Sequence, residues 1–536
     1  MSRRNLWRAP SVHGGILADP PLEEVGGLLE SNRRCLGGGA EVSILGRPLA
    51  EVQRGARAAA LAAARAYLQA AGDAIPNRAG ADRLLVTGHQ PELFHPGVWI
   101  KNFVLHALAR RHGLTPLFLI ADHDTLKSPS LLVPSRNDGA ASVRLRRLAF
   151  DRGEGEVPWE ERGINDPATF ATFGERAEAL LAAWGVKPLL LAFWTEVRRH
   201  TNPRIGERFA GARRCWERAW GCHNWELPIS RLAETEPFAW FVCHLITELT
   251  RFRQVHNAAI RDYRQRHRVR SRRHPVPELT VEEDWEEAPL WAWQPGASRR
   301  GRLFVRRRGP DWELRADAEA CPTVRATDPA AWLELVQRGL RIRPRALATT
   351  LFARVFLAEL FIHGIGGAKY DELTDALIER FYGLGPPIYL VVSATLHLPL
   401  PPWPATAAES RRLAALVRDL YYNPQRHLDR TNLPPDVARL VAEKNAWIAQ
   451  APTEAAARRQ RFHALRAITE ALRPAVAERI REARRRLRQC EEELRANAIL
   501  WRRDFAFCLY PEDTLREFYR PLMAGFEEDG KPAEIP

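Results

Sequence analysis

Methionine is nearly missing from this chain, with two residues in 536. Lysine is scarce as well, so arginine carries almost all of the positive charge. The seven cysteines (Cys35, Cys215, Cys222, Cys243, Cys321, Cys490, Cys508) are odd in number and never form a Cys-x-x-Cys pair. That excludes a disulfide framework and points to a reduced, cytoplasmic protein. Cys215, Cys222-His223 and Cys243-His244 match no common zinc spacing, so no resident metal is expected. The most apolar stretch, Leu351 to Gly364, is too short to span a bilayer and carries Arg354 and Glu359, which argues against a membrane partner. Met1 to Trp7 has charge but no apolar segment behind it, so no signal peptide is expected. No Gly-x4-Gly-Lys-Ser/Thr sequence occurs, which excludes a Walker A loop. Internal repeats are absent too. The net charge is +14 and the pI about 9.9. Arginine, alanine and proline are abundant and no RNA- or DNA-binding motif stands out, so nucleic acid is not an expected partner.

Apolar residues are plentiful at 46%, enough for a large core spread over several domains. Residues 46–70 read as an alanine-rich helix. Leu84 to Thr87 reads as a strand. Pro96 and Gly97 open a helix with Ile100, Phe103, Val104, Ala107 and Leu108 on one face, and Gly113 closes it. Leu117-Phe118-Leu119-Ile120 is the next strand. This strand–helix–strand unit predicts a parallel sheet. Leu189 to Phe193 is expected as a further buried strand, and 235–265 as one long helix. Residues 283–315, rich in tryptophan and broken by Gly and Pro, predict a small β insertion. A helix over 344–360 should lead into a glycine-rich loop, and 387–392 into another strand. Over 465–498 apolar residues recur in steps of three and four, which predicts a coiled-coil seam kinked at Pro474. Helices at 407–421 and 435–449 are its expected partners. Only the acidic tail from about 526 reads as disordered.

The chemistry gathers at strand ends. Thr87-Gly88-His89-Gln90 sits at a strand-to-helix turn, where the helix N-terminus suits a phosphate or carboxylate. Histidine titrates near neutrality, so His89 is a candidate oxyanion donor or proton shuttle. Asp122-His123-Asp124 follows the second strand. Its carboxylates suit a ribose or an amine, a divalent metal in the manner of Asp-x-Asp glycosyltransferases, or a purely structural cap. Gly366, Gly367, Lys369, Tyr370 and Asp371 form a glycine-rich segment whose N–H groups could cradle an anion. Ser393 ends the last apolar strand. The basic run from Arg264 to His274 reads as a solvated helix face and its exit.

In this order the motifs resemble the bacillithiol biosynthesis cysteine-adding enzymes, a family of cysteine ligases. The resemblance rests on Thr87-Gly88-His89-Gln90, Asp122-His123-Asp124, Gly366-Gly367 and Ser393-Ala394-Thr395-Leu396, with the helical hairpin and the closing segment from Tyr510 to Phe518. It implies a Rossmann-like parallel-sheet core (1–220 and 330–405) and a connecting helical and β insertion (221–329). A coiled-coil hairpin that dimerises (406–500) and a segment returning to the core (501–536) complete it. It also implies joining cysteine to the amine of glucosaminyl malate, with a nucleotide site. Three positions depart from the family: His89 stands for Gln, Ala121 for Glu, and Ala368-Lys369-Tyr370-Asp371 for Pro-Gly-Glu.

The expected protein is therefore an α/β ligase forming an amide between an amino acid and an amino sugar, with ATP and Mg as the source of activation. His89, Asp122, His123 and Asp124 are the candidate catalytic residues. Thr87, Gly88, Gln90, Gly366, Gly367, Lys369, Tyr370, Asp371 and Ser393 are the candidate binding residues. Two alternatives stand beside it: a metal-dependent glycosyltransferase using Asp122 and Asp124, and a non-enzymatic coiled-coil dimer.

Overall fold

The structure, a computed structural model, describes residues 7–37, 42–77, 82–136, 143–153, 156–274, 276–297, 299–317, 319–324, 328–429 and 431–524. The tail from 526 lies outside them. Two compact units form: one is Met1–Val133, Arg147–Leu398 and Arg503–Pro536, the other Pro134–Arg146 and Pro399–Arg502. The β insertion groups with the first unit, and residues 134–146 group with the helices of the second.

The first unit is α/β, around a sheet of β1 (Ile16–Asp19), β2 (Leu84–His89), β3 (Thr115–Ile120), β4 (Trp225–Pro228), β5 (Ala358–His363) and β6 (Leu390–Ala394). Their order is β1-β6-β5-β2-β3-β4. All neighbours run parallel except β1, which lies antiparallel on β6 at the edge. The chain steps outward from β2 through β3 to β4, then returns to the other side of β2 with β5 and β6. The order thus reverses between β2 and β5. In doubly wound sheets the connections leaving the carboxyl ends diverge at such a reversal.

Strand composition follows from burial on both faces. Leu84, Leu85 and Val86 are buried, and so is every residue of β3; near-continuous apolar runs are what such strands need. Helix α1 (Leu49–Ala70) buries Val52, Ala56, Ala60 and Ala64, small side chains at steps of four that allow close packing near β4. Helix α2 (Pro96–His112) opens on Pro96 and ends on Gly113, whose φ of 62° only glycine adopts without cost.

Several expectations need correcting. Leu189 to Phe193 is no strand but the start of helix α3 (Leu190–Arg199), which buries Leu190, Phe193, Trp194 and Val197. That 3.6-residue period outweighs the short apolar run. It is followed by α4 (Ile205–Ala219). The long helix over 235–265 is two helices, Glu236–Thr247 and Leu249–His267, parted at Glu248. The β insertion reaches further than 283–315. Its strands form a six-stranded antiparallel sheet from Val281 to Pro344. The helix over 344–360 stops early: Ala346–Phe352 is α-helical, Ala353–Leu357 is a π turn, and 358–363 is strand β5. Burying each large apolar side chain is worth about 1.5–3 kcal/mol, so this run enters the core whichever backbone form it takes. The expected glycine-rich loop is helical as well, since Gly366 and Gly367 lie in the first turn of α5 (Ile365–Tyr382).

Among the described residues the second unit is helical apart from the strand residues 134–136 and 143–146 and the connecting segments. Helix α6 (Ala407–Tyr422) packs on α9 (Ala477–Leu500), and α7 (Pro435–Ala449) on α8 (Ala455–Leu472). The single expected seam is two helices, broken by a turn at Arg473–Val476. Pro474 lacks the N–H a continuous helix needs there. Ile468, Leu472, Val476, Ile480, Ala483 and Cys490 are buried as the period requires, but Ala498 is exposed and Ala496, Asn497 and Leu500 are buried instead. Among the described residues no helix is long and apolar enough to cross a membrane.

Candidate functional site

Two groups of polar side chains meet around His89 at the carboxyl end of β2. The first is acidic and braced. Gln90 Nε2 donates to Asp124 Oδ2 at 2.8 Å. Asp124 Oδ1 accepts the Thr125 N–H at 2.9 Å and Arg300 Nη2 at 3.2 Å. Arg300 Nη1 also donates to the His123 carbonyl at 2.7 Å, and its guanidinium lies 4.7 Å from the Trp291 ring centroid. Burial pushes the Asp124 carboxyl up, but the Gln90 bond, Arg300 and the Thr125 N–H pull it below its ordinary value. It is an ionised carboxylate at neutral pH.

The second group is basic and only partly satisfied. Lys101 is 3% exposed, and its Nζ donates to the Gly88 carbonyl at 2.7 Å. Burial alone lowers its amine from 10.5 to about 7. Burial and then Lys101 drive His89 down to about 3, so its imidazole is neutral. The His89 ring meets Phe94 edge-on, with centroids 5.1 Å apart. His95, the N-cap of α2, is lowered to about 4 by burial and then by Arg503. Its Nδ1 and Arg503 Nη1 are buried without a hydrogen-bond partner. Arg503 Nη2 donates to Ser393 Oγ at 3.0 Å, and that hydroxyl donates to the Gly97 carbonyl at 3.3 Å. Gly97 is required here, because a Cβ would stand 2.0 Å from the Ala394 carbonyl.

Other expected residues are spent on the scaffold. Thr87 Oγ1 donates to the Ile362 carbonyl at 2.7 Å, tying β2 to β5. A Cβ on Gly88 would meet the Leu119 carbonyl at 2.7 Å, so its missing side chain serves strand packing. Asp122 accepts the Ser230 N–H at 2.9 Å and the Ser230 hydroxyl, fastening the end of β3 to the segment after β4. Burial, then Glu160, raises its carboxyl to about 8. His123 is buried, lowered to about 3 by burial, and its Nδ1 has no hydrogen-bond partner. Burial thus weakens His123, the expected base, and both oxygens of Asp122, expected with Asp124 to hold the amine, are engaged by Ser230.

The α5 segment divides likewise. Gly366 and Lys369 are exposed, with open space where a Gly366 Cβ would stand. Gly367 lies under the His363 ring, whose Nδ1 would be 2.8 Å from a Cβ. The Lys369 carbonyl accepts the Tyr263 hydroxyl at 3.0 Å, and the Tyr370 hydroxyl lies 3.5 Å from His274 Nε2. Asp371 is buried between His363 Nε2 at 2.9 Å and Arg354 Nη1 at 2.5 Å. Arg354 also reaches Asp375 at 2.7 Å and the Pro387 carbonyl. Burial would raise the Asp371 carboxyl, but Arg354 and His363 hold it well below the carboxylate range. Asp371, expected as a ligand contact, is thus engaged by Arg354 and His363 in an ion network.

Lys101, His95, Arg300 and Arg503 were not anticipated. Lys101 had a signal, since a lysine between Ile100 and Phe103 in an apolar helix of a lysine-poor chain must be buried. Arg300 and Arg503 had none, because their partners lie far off in sequence. A surface concavity of about 420 Å³ lies elsewhere, lined by Glu175, Glu178, Ala182 and Lys187, with no imidazole, hydroxyl or thiol in its lining. No protein-family model matches the chain, and no curated protein matches it.

Proposed function

We propose that this chain is an enzyme joining an amino-acid carboxyl to an amine through an amide bond, at the reversal between β2 and β5. Read from β4 to β6, the strand order agrees with a Rossmann-like doubly wound sheet, whose ligands bind at such a reversal. The observation that carries the reading is Lys101. A buried amine brought to about 7, bonded only to a backbone carbonyl and set at a strand reversal, is poised for proton transfer at neutral pH.

Amide formation from a free carboxylate is uphill in water, so the acyl donor must be activated, and ATP with Mg is the proposed source. Arg503, His95 and the first-turn N–H groups of α2 would hold the negative charge on the donor. His89, neutral at the site, would donate to the oxygen that gains charge during attack. Asp124 would hold the incoming ammonium, and Lys101 would take the proton it sheds. By resemblance the donor is cysteine and the acceptor glucosaminyl malate. The helix pairs would form the coiled-coil hairpin of a homodimer.

The glycosyltransferase alternative loses support. Both Asp122 oxygens are engaged by Ser230, and those of Asp124 by Gln90, Thr125 and Arg300, so each carboxylate already has partners where a metal would need it. The test is mass spectrometry of the purified chain with cysteine, glucosaminyl malate and ATP-Mg, alongside Lys101→Met and an arm without ATP. A condensed thiol product that needs ATP and Lys101 is the expected result. No product from folded wild-type protein retires the cysteine-ligase reading.

A further inference from the structure

Outside that site the fold assembles a set of side chains with no part in the proposed chemistry. Glu196 and His200 are one helical turn apart, on the last turn of α3 and its C-cap. Cys215 faces them from α4, with Sγ 3.5 Å from Glu196 Oε1. His200 Nε2 lies 3.6 Å from the same oxygen and is buried without a hydrogen-bond partner. One ligand atom from each of the three lies within 4.8 Å of the others. Glu196 Oε2 is turned away to Arg199 at 3.1 Å, which leaves Oε1 for the cluster.

Gly211, one turn before Cys215, makes the arrangement sterically feasible. A Cβ there would stand 2.6–3.0 Å from three atoms of the His200 ring. Only a bare backbone lets the imidazole lie against α4, one turn before Cys215.

We propose that Glu196, His200 and Cys215 form a binding site for a borderline-soft divalent cation of the zinc class, with water as the fourth ligand. Zinc takes sulfur at about 2.3 Å and nitrogen or oxygen at about 2.0–2.2 Å in a tetrahedron, which sets neighbouring ligand atoms roughly 3.3–3.6 Å apart. The spacings of 3.5 and 3.6 Å fall at that edge length before any ion is considered. A thiolate, an imidazole and one carboxylate select zinc or cobalt over magnesium or calcium, which prefer all-oxygen sets. Cys215 binds as thiolate and gives its proton to solvent. A thiol must lose its proton to bind, so metal binding weakens as the pH falls. The ion would fasten α3 to α4. The alternative occupant of the geometry is a plain thiol-to-carboxylate hydrogen bond.

The test uses the full chain, stripped with chelator and titrated with Co²⁺ and then Zn²⁺. Co²⁺ should give a thiolate-to-metal charge-transfer band in the near ultraviolet, with visible bands of tetrahedral intensity, and Zn²⁺ should displace it at one equivalent. Cys215→Ser should abolish the charge-transfer band while circular dichroism stays unchanged. Glu196→Gln should weaken Zn²⁺ binding by at least about tenfold, the lower bound for losing even a supporting contact. Should Cys215→Ser fail to fold, the Glu196→Gln titration and the wild-type cobalt spectrum decide alone. Absence of a charge-transfer band in folded wild-type protein overturns the proposal, and so does a band that survives in Cys215→Ser.

Discussion

Two polar clusters lie at the carboxyl ends of neighbouring strands, and they behave in opposite ways. At β5, His363, Asp371, Arg354 and Asp375 close on one another, with contacts of 2.5 to 2.9 Å. At β2, Lys101 has a single carbonyl partner, and His95 Nδ1 and Arg503 Nη1 have none. Both look chemically rich as a list of residue types. Ion pairing distinguishes them: at β5 Arg354 meets two carboxylates and His363 one, whereas the buried Lys101 amine meets only a backbone carbonyl; a paired network specifies the fold, while an unpaired buried cation costs stability and is available to a ligand.

The hardest way to break this contrast is at Arg354, which is 1% exposed. Arg354→Met strands Asp371 as a buried, half-paired carboxylate, and breaking such a pair costs about 3–5 kcal/mol. Urea unfolding should report that loss. A cost near zero would mean that the β5 cluster is not structural.

Lys101→Met should do the reverse. The folded amine is depressed from 10.5 to about 7, so the stability it contributes is present above 10.5 and lost as the pH falls through 7. Removing it should raise stability at pH 6 by about 1–4 kcal/mol, the range seen when buried charges give way to apolar side chains, while product formation is lost. A variant that is destabilised and still active would place Lys101 with the structural cluster.

A smaller effect separates Asp122 from Asp124. The Asp122 carboxyl is raised from 3.8 to about 8, so its stabilising contribution is complete below 3.8 and lost as the pH rises through 8. Asp122→Asn should flatten the fall in melting temperature between pH 5 and 8 without abolishing activity. Asp124, lowered by Gln90, Arg300 and Thr125, contributes in the opposite sense, and Asp124→Asn should cut activity while leaving that slope in place. Identical profiles for the two variants would undo the distinction.

The contrast also explains what the sequence could and could not reveal. Leu84 to Val86, the closure at Gly113 and the helices at 49–70, 407–422 and 435–449 were legible because local period and capping chemistry decide them. Residues 358–363 were not, since an apolar run has no period of its own and only the gap beside β2 makes it a strand. His89, Gln90 and Asp124 could be placed at strand ends from their motifs. Whether a polar group is spent or free depends on partners such as Ser230, 108 residues from Asp122, or Arg300, 176 from Asp124, and no local pattern encodes those.

The finest test lies within one turn of α5. Gly366 and Gly367 are adjacent and alike in sequence, and an anion-cradling loop would need both. The fold separates them. Gly366 faces open space in the helix, so Gly366→Ala should gain up to about 1 kcal/mol from helix propensity and leave activity intact. A Cβ on Gly367 would press the His363 ring at 2.8 Å, and that ring is held by Asp371 in a buried network with little room to move. Overpacking of this kind costs about 1–3 kcal/mol, which offsets or exceeds the helical gain. Paired thermal melts of the two alanine variants should therefore move apart. If Gly366→Ala instead left stability unchanged and removed product formation, the first turn of α5 would be a ligand contact after all, and the division between closed and open clusters would have to be redrawn at β5.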